Sequence, residues 1–165
     1  DKLLPAMDRS PLAPDDVARK ELEQKLKGLV LHPAQGGGSP AKVFGKKYAF
    51  PANDRKLEAI TLENSGNDDA VTLIIRIDGA EHRIACGRGE WQKGRIAWGQ
   101  FPEQPMAASG AWTEDDTFTA KICLYETPYV FTIRLKFTGQ ELQCNVEMNV
   151  SFVLTKEPQL TGKAE

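Results

Sequence analysis

Histidine and cysteine are scarce in this chain: His32, His82, Cys86, Cys123 and Cys144 are the only ones among 165 residues. No two cysteines are spaced as CxxC, which argues against a thiolate zinc site, and an odd, widely separated set does not build a disulfide framework. The histidines are too few and too far apart to pair on one element, so neither a metal nor a cofactor is expected. An excess of one charge is also missing. Lys+Arg number 21 and Asp+Glu 23, a net charge of −2, so no basic field exists to hold a phosphate backbone and nucleic acid is not an expected partner. Long apolar runs are absent too: the uncharged stretch from Gly28 up to Lys42 is broken by Pro33, a glycine triplet and Pro40, which excludes a membrane-spanning helix there. Residues Asp1–Pro5 lack a basic region followed by an apolar one, so no signal peptide is expected, and a chain opening on aspartate is expected to be processed or excised. Unpaired thiols lean the expected compartment toward a reducing one.

What is present fits a soluble globular domain, 41% hydrophobic and 27% charged. A chain of this length buries roughly 70% of its extended surface on folding, so its core needs no metal or disulfide for stability. From Asp15 to Lys27, Ala18, Leu22 and Leu26 form one narrow apolar stripe on an otherwise charged helix. Asp15 or Asp16 is the expected N-cap. Asp15–Arg19, Asp16–Lys20, Glu21–Lys25 and Glu23–Lys27 each place an acid four residues before a base, and Gly28 suits a left-handed C-terminal position. So narrow a stripe predicts docking on something larger.

His32-Pro33-Ala34-Gln35-Gly36-Gly37-Gly38-Ser39-Pro40 reads as a linker, which divides the chain into a helix-and-linker segment, 1–42, and a β domain, 43–165. Beyond it the apolar period is two residues. Strands are predicted over Val43–Phe50, Lys56–Asn64, Ala70–Asp78, Glu81–Cys86, Arg95–Trp98, Met106–Trp112, Thr117–Tyr125, Tyr129–Phe137 and Glu141–Phe152. Even positions from Leu142 to Phe152 and odd ones from Tyr129 to Phe137 are expected to face inward. Short turns such as Asp78-Gly79 and Thr138-Gly139 join the strands into a meander. A meander of eight or nine half-buried strands avoids a long apolar edge by closing, which predicts an antiparallel up-and-down, lipocalin-like barrel.

Several residues invite a chemical reading. Ser39-Pro40-Ala41-Lys42 spells S-x-x-K, but that motif needs a helix to bring lysine to serine, and here glycines precede it and a strand is expected at Val43. His82, between Glu81 and Arg83, reads as a cross-strand polar residue, and Glu114-Asp115-Asp116 as a solvated hairpin turn rather than a cation loop. Trp91, Trp98 and Trp112 form a candidate ligand platform or docking patch, with core packing as the alternative.

Three stretches carry a resemblance: Glu81-His82-Arg83-Ile84-Ala85-Cys86-Gly87-Arg88-Gly89-Glu90-Trp91, Ala107-Ala108-Ser109-Gly110-Ala111-Trp112-Thr113-Glu114-Asp115-Asp116-Thr117, and Cys123-Leu124-Tyr125-Glu126-Thr127-Pro128. Together they resemble the C-terminal domain of bacterial serine hydrolases related to class C β-lactamases and penicillin-binding proteins. Leu3-Leu4-Pro5-Ala6-Met7, the charged helix and the linker are similar to the segment that joins that domain to the catalytic one. The resemblance implies that the nucleophilic serine, its lysine, the second-motif tyrosine and the Lys-Thr-Gly strand belong to an upstream domain. It therefore implies a non-catalytic accessory domain that packs on its own catalytic domain, through the face bearing Ala18, Leu22 and Leu26, and shapes stability or substrate access there. The alternative expectation is a binding module whose barrel interior takes a small apolar ligand.

Overall fold

The computed structural model describes residues 13–64, 70–98, 101–152 and 154–165. They fall into two compact units, one ending at His32 and the other running from Pro33 to Glu165. The first holds helix α1, Asp16–Lys27. Asp15 caps it, its carboxylate accepting from the N–H groups of Val17 at 3.0 Å and Ala18 at 2.9 Å. With that carboxylate engaged at the cap, Arg19 pairs one residue closer than the spacing suggested, with Asp16 at 3.1 Å. Gly28 closes the helix at φ −84°, so the expected left-handed residue is not used. No residue of α1 is buried.

The second unit is built from ten strands among the described residues: β1 Lys47–Ala49, β2 Leu57–Asn64, β3 Ala70–Ile77, β4 Ala80–Gly87, β5 Gln92–Trp98, β6 Phe101–Glu114, β7 Thr117–Cys123, β8 Val130–Thr138, β9 Glu141–Met148 and β10 Leu160–Ala164. β1 to β4 pair antiparallel in succession, as do β5 to β10, and β10 returns to pair antiparallel with β1. The long β6 spends its first half on β5, then meets β4 through Gly87 and Ser109. That contact closes a ring of nine strands, with β5 filling the lower part of the seam. The result is a mainly β, closed up-and-down barrel, as the alternation predicted.

Register explains the core. Phe131, Ile133, Leu135 and Phe137 stand opposite Met148, Val146, Cys144 and Leu142, so both strands turn one parity inward. Opposite them on the far wall, Val71, Leu73 and Ile75 pair with Cys86, Ile84 and His82. His82 thus shares the inward parity of Ile84 and Cys86, while Arg83 faces out and pairs with Glu63 at 2.5 Å. Arg83 thus makes a polar cross-strand pair beside His82.

Three sequence expectations are corrected. The segment 43–46 precedes β1 rather than extending it, and β10 was not foreseen. The inward alternation of β9 stops at Met148, leaving Val150 38% and Phe152 97% exposed. Asn149 ends the ladder: its side-chain oxygen accepts from Val130 N–H at 2.8 Å and its amide donates to Pro128 O at 2.9 Å. The side chain takes the place of the next backbone pair, and the chain leaves the sheet.

Candidate ligand cavity at one end of the barrel

The two ends of the barrel are built differently. The β6–β7 and β8–β9 turns mark one, and the residues 33–42, read from composition as a linker, lie along it as a strap within the barrel unit. Beyond its meeting with β4, β6 continues to Glu114, and the strap covers that edge: Gly38 N–H donates to Trp112 O at 2.9 Å, and Asp116 N–H to Ser39 O at 3.3 Å. Ala34 N–H donates to Ser109 Oγ at 2.8 Å in a buried contact. The outward positions of β6 there are Ala107, Ser109 and Ala111, small enough for a second chain to lie close. Glycine is required in the strap: a Cβ on Gly36 would sit 2.1 Å from Trp112 O, and one on Gly38 2.2 Å from Glu114 O.

Inside this strapped end, Trp112 packs at centroid distances of 6.2 Å from Phe44, 5.5 Å from Phe118 and 5.9 Å from Phe137, and Tyr48 lies 5.3 Å from Phe137. Aromatic rings fill the bore. Burial raises the Tyr48 phenol above its ordinary pKa.

The opposite end is hollow. A cavity of about 220 Å³ opens there among Leu57, Ile60, Ile75, Ile77, Phe131, Ile133, Cys144 and Val146. Among the described residues its charged neighbours are Arg55 and Glu157, which face each other at the mouth. Arg55 Nη1 meets Glu157 Oε2 at 2.6 Å, and Arg55 Nη2 donates to Pro158 O at 2.6 Å. Arg55 comes from the loop between β1 and β2, while Glu157 is positioned by its N–H, which donates to Val146 O at 3.0 Å. Burial pushes the Cys144 thiol up to about 11, with Arg55 lowering and Glu157 raising it. A neutral thiol among aliphatic side chains keeps the cavity wall uncharged at pH 7.

The residues singled out from the sequence are dispersed. Trp112 belongs to the aromatic core, 8% exposed. Trp91 precedes β5 and Trp98 ends it, so the two stand at opposite ends of that strand, and the side chain of Trp98 lies outside the described residues. The length of β5 therefore separates the backbone of Trp91 from that of Trp98. Ala18, Leu22 and Leu26 are exposed on α1, Leu22 and Leu26 each at 56%. Ser39 and Lys42 lie on non-helical chain, so S-x-x-K has no helix to bring its ends together. Glu114-Asp115-Asp116 is a hairpin turn, but a bonded one, Asp115 Oδ1 accepting from Ser39 N–H at 3.0 Å. Among the described residues no group of three His, Cys, Asp or Glu side chains is arranged to hold a metal.

Arg55 and Glu157 were missed, since residues 102 positions apart leave no local signal. The cavity wall had one: Ile75 and Ile77 share a parity, as do Phe131 and Ile133, and as do Cys144 and Val146.

No protein-family profile and no curated protein is similar enough to this chain to match. Among solved structures, the chain is similar to a fatty acid-binding protein from brain tissue of Drosophila melanogaster, with a TM-score of 0.52 and 16% identity over 75% of this chain and 100% of that one. The likeness is one of fold, and the barrel is of the lipocalin and fatty acid-binding protein type.

Proposed function

We propose that the barrel is a non-catalytic binding module for small, uncharged, apolar molecules. The observation that carries this reading is the cavity of about 220 Å³ with aliphatic and aromatic walls and a paired, net-neutral mouth. An apolar cavity of about 150 Å³ stays dry and takes up benzene, while drug-sized ligands need roughly 300–1,000 Å³. The size here fits a substituted single ring or a short alkyl chain and is too small to enclose a long acyl chain. A fatty acid-binding protein as structural neighbour supports a ligand-binding use of the interior, without naming the ligand.

Toluene and 1-hexanol are suitable probes. At a hundred times its dissociation constant, a ligand adds about 2.7 kcal/mol, which raises Tm by about 5–10 °C in a domain of this size. Val146→Phe, which fills the cavity, is expected to abolish that shift. No shift with either probe, in a protein that melts cooperatively, would refute the reading.

One observation favours a second reading, the accessory domain of a serine hydrolase. The stripe of α1 is wholly exposed, as a face kept for another domain would be. In the longer polypeptide, Leu22→Glu with Leu26→Glu would then lower the melting temperature or kcat/KM of the catalytic domain. Unchanged values would remove this reading.

A further inference from the structure

Apolar surface left in water is concentrated on the first unit. Of the ten large hydrophobic side chains exposed among the described residues, six lie between positions 17 and 31: Val17, Leu22, Leu26, Leu29, Val30 and Leu31. Helix α1 has no buried residue, and a helix of 12 residues is marginal in water without packing to hold it. Its charges are also unmatched. The sequence spacing suggested Glu21–Lys25 and Glu23–Lys27 pairs, yet Arg19 with Asp16 is the ion pair that α1 makes among the described residues. Glu21, Glu23 and Lys25 are left without one.

With about 3.6 residues per turn, these charges border the stripe. Arg19 and Glu23 fall about 60–100° to one side of the line Ala18–Leu22–Leu26, and Lys25 and Glu21 as far to the other. The set is complementary to itself. We infer that the stripe is covered by the same stripe of a second copy of this chain, the two helices running antiparallel about a two-fold axis at Leu22. Ala18 then faces the partner's Leu26, a small residue against a large one, and the two copies of Leu22 meet. Arg19 reaches the partner's Glu23 and Lys25 the partner's Glu21, each offset by about 3 Å along the helix, within the span of these side chains. The ends set the direction. Asp16 lies in the first turn and Lys25 and Lys27 in the last, so antiparallel helices put acid beside base and oppose their dipoles, where parallel ones would put like beside like. Asp15, Asp16, Glu21 and Glu23 balance Arg19, Lys20, Lys25 and Lys27, which suits a copy of itself better than a strongly charged protein or an anionic membrane. The contact is short, so the dimer is of the weak, exchanging kind. The inference does not rest on the barrel cavity, and it gives the stripe an occupant other than a catalytic domain.

The test is sedimentation equilibrium of the 165-residue chain from about 20 μM to about 1 mM, with an NMR dilution series alongside. The mass is expected to rise toward twice that of one chain, and the amides of Asp16–Lys27 to move while those of the barrel strands stay. Glu23→Lys and Arg19→Glu each set like charges across the pair, and each variant alone should associate at least tenfold more weakly. Mixed in equal amounts, the two should recover association to within about threefold of the original: the new lysine meets the new glutamate and Arg19 meets Glu23, while the charges within each helix are no better than before. A parallel pair would not recover, because there position 19 faces 21 and position 23 faces 25. The inference is overturned if the chain stays monomeric at millimolar concentration, which leaves the stripe to a catalytic domain, or if association moves only barrel resonances. It is overturned equally if either variant associates as the original does, or if the mixture stays apart.

Discussion

One barrel closes its two ends by opposite means. At the strapped end, Phe44, Tyr48, Trp112, Phe118 and Phe137 fill the bore, and residues 34–39 bind over the edge of β6. At the other, the bore is lined mainly by Leu57, Ile60, Ile75, Ile77, Ile133 and Val146, with Phe131 and Cys144, and an ion pair spans the mouth. Bulk concentrated at one end leaves volume at the other. Stability and ligand capacity are thus assigned to different parts of one sheet, and substitutions at the two ends separate them.

The largest effect is expected where a charge enters the shared core. Ile133 is 1% exposed and lines the hollow end, so Ile133→Asp buries an unpaired carboxylate. A loss of several kcal/mol, read as unfolding in urea, is expected. A smaller loss would mean that water already reaches the cavity wall.

Equal truncations at the two ends sharpen the contrast. Phe118 is fully buried in the aromatic cluster, and Phe118→Ala should cost about 3–5 kcal/mol, the range for an aromatic removed from a packed core. Phe131 borders the existing cavity and is 7% exposed, so fewer packing partners are lost in Phe131→Ala. It should cost less by about 1 kcal/mol or more, since contacts missing on the cavity side cannot be lost again. Equal costs in chemical denaturation would show the two ends packed alike.

How much of this was legible in the sequence follows from how local each signal was. Alternation in Phe131–Phe137 and Leu142–Met148 is strict, and it located both strands and their inward faces. Strand β10 offers a single large apolar residue, Leu160, and a glycine, so no periodicity marks it. It is a strand because β1 and β9 supply partners on both sides, and because Gly162 leaves room for Phe50, whose ring would meet a Cβ at 2.9 Å. The glycine triplet reads as flexible by composition; only the close approach of β6 shows that Gly36 and Gly38 serve packing. The cavity is a sum over distant strands, and its mouth rests on Arg55 and Glu157, whose pairing nothing short of the closed ring determines.

The strap yields an internal comparison. Gly38→Ala puts a methyl group 2.2 Å from Glu114 O and must push the strap off β6, at a cost of about 1–3 kcal/mol. Gly37 has nothing within 4 Å of a Cβ, so Gly37→Ala should be neutral or stabilising by about 0.4–1 kcal/mol. Thermal melts of the two variants decide it. A tolerated Gly38→Ala would mean the strap is not held as described.

The thiols report on the ends separately. Burial pushes Cys86 up to about 12 and Cys144 up to about 11, from an ordinary value of 9.0. Between pH 9 and these values the unfolded chain gives up a proton that the folded chain keeps, so alkali favours unfolding. The stability due to each neutral thiol is complete below pH 9 and falls by about 1.4 kcal/mol per pH unit until the folded value is reached. Cys144→Ala should flatten that decline between pH 9 and 11. At pH 8, iodoacetamide should mark half-buried Cys123 first; Cys144, on the cavity wall, should follow and be protected by toluene. Cys86 should react only on unfolding. Labelling of Cys86 ahead of Cys144 would reverse the assignment of the hollow end.

The smallest effect on stability belongs to the ion pair at the mouth. Arg55 and Glu157 keep 24% and 31% of their side-chain surface exposed, so solvent screens much of their attraction. A pair of this kind contributes about 0–1 kcal/mol, and Arg55→Ala should lower stability by no more than that. Its effect on exchange should be larger than its effect on folding. Arg55 also donates to Pro158 O, so it ties the loop before β2 to the connection before β10, directly across the path into the cavity. Removing the side chain frees both segments and widens the mouth without altering the aliphatic wall. Toluene should then associate and dissociate faster in relaxation-dispersion NMR, with its dissociation constant changed less than threefold. If affinity falls tenfold while the rates hold, the pair contacts the ligand itself, and the net-neutral mouth is part of the binding surface rather than its gate.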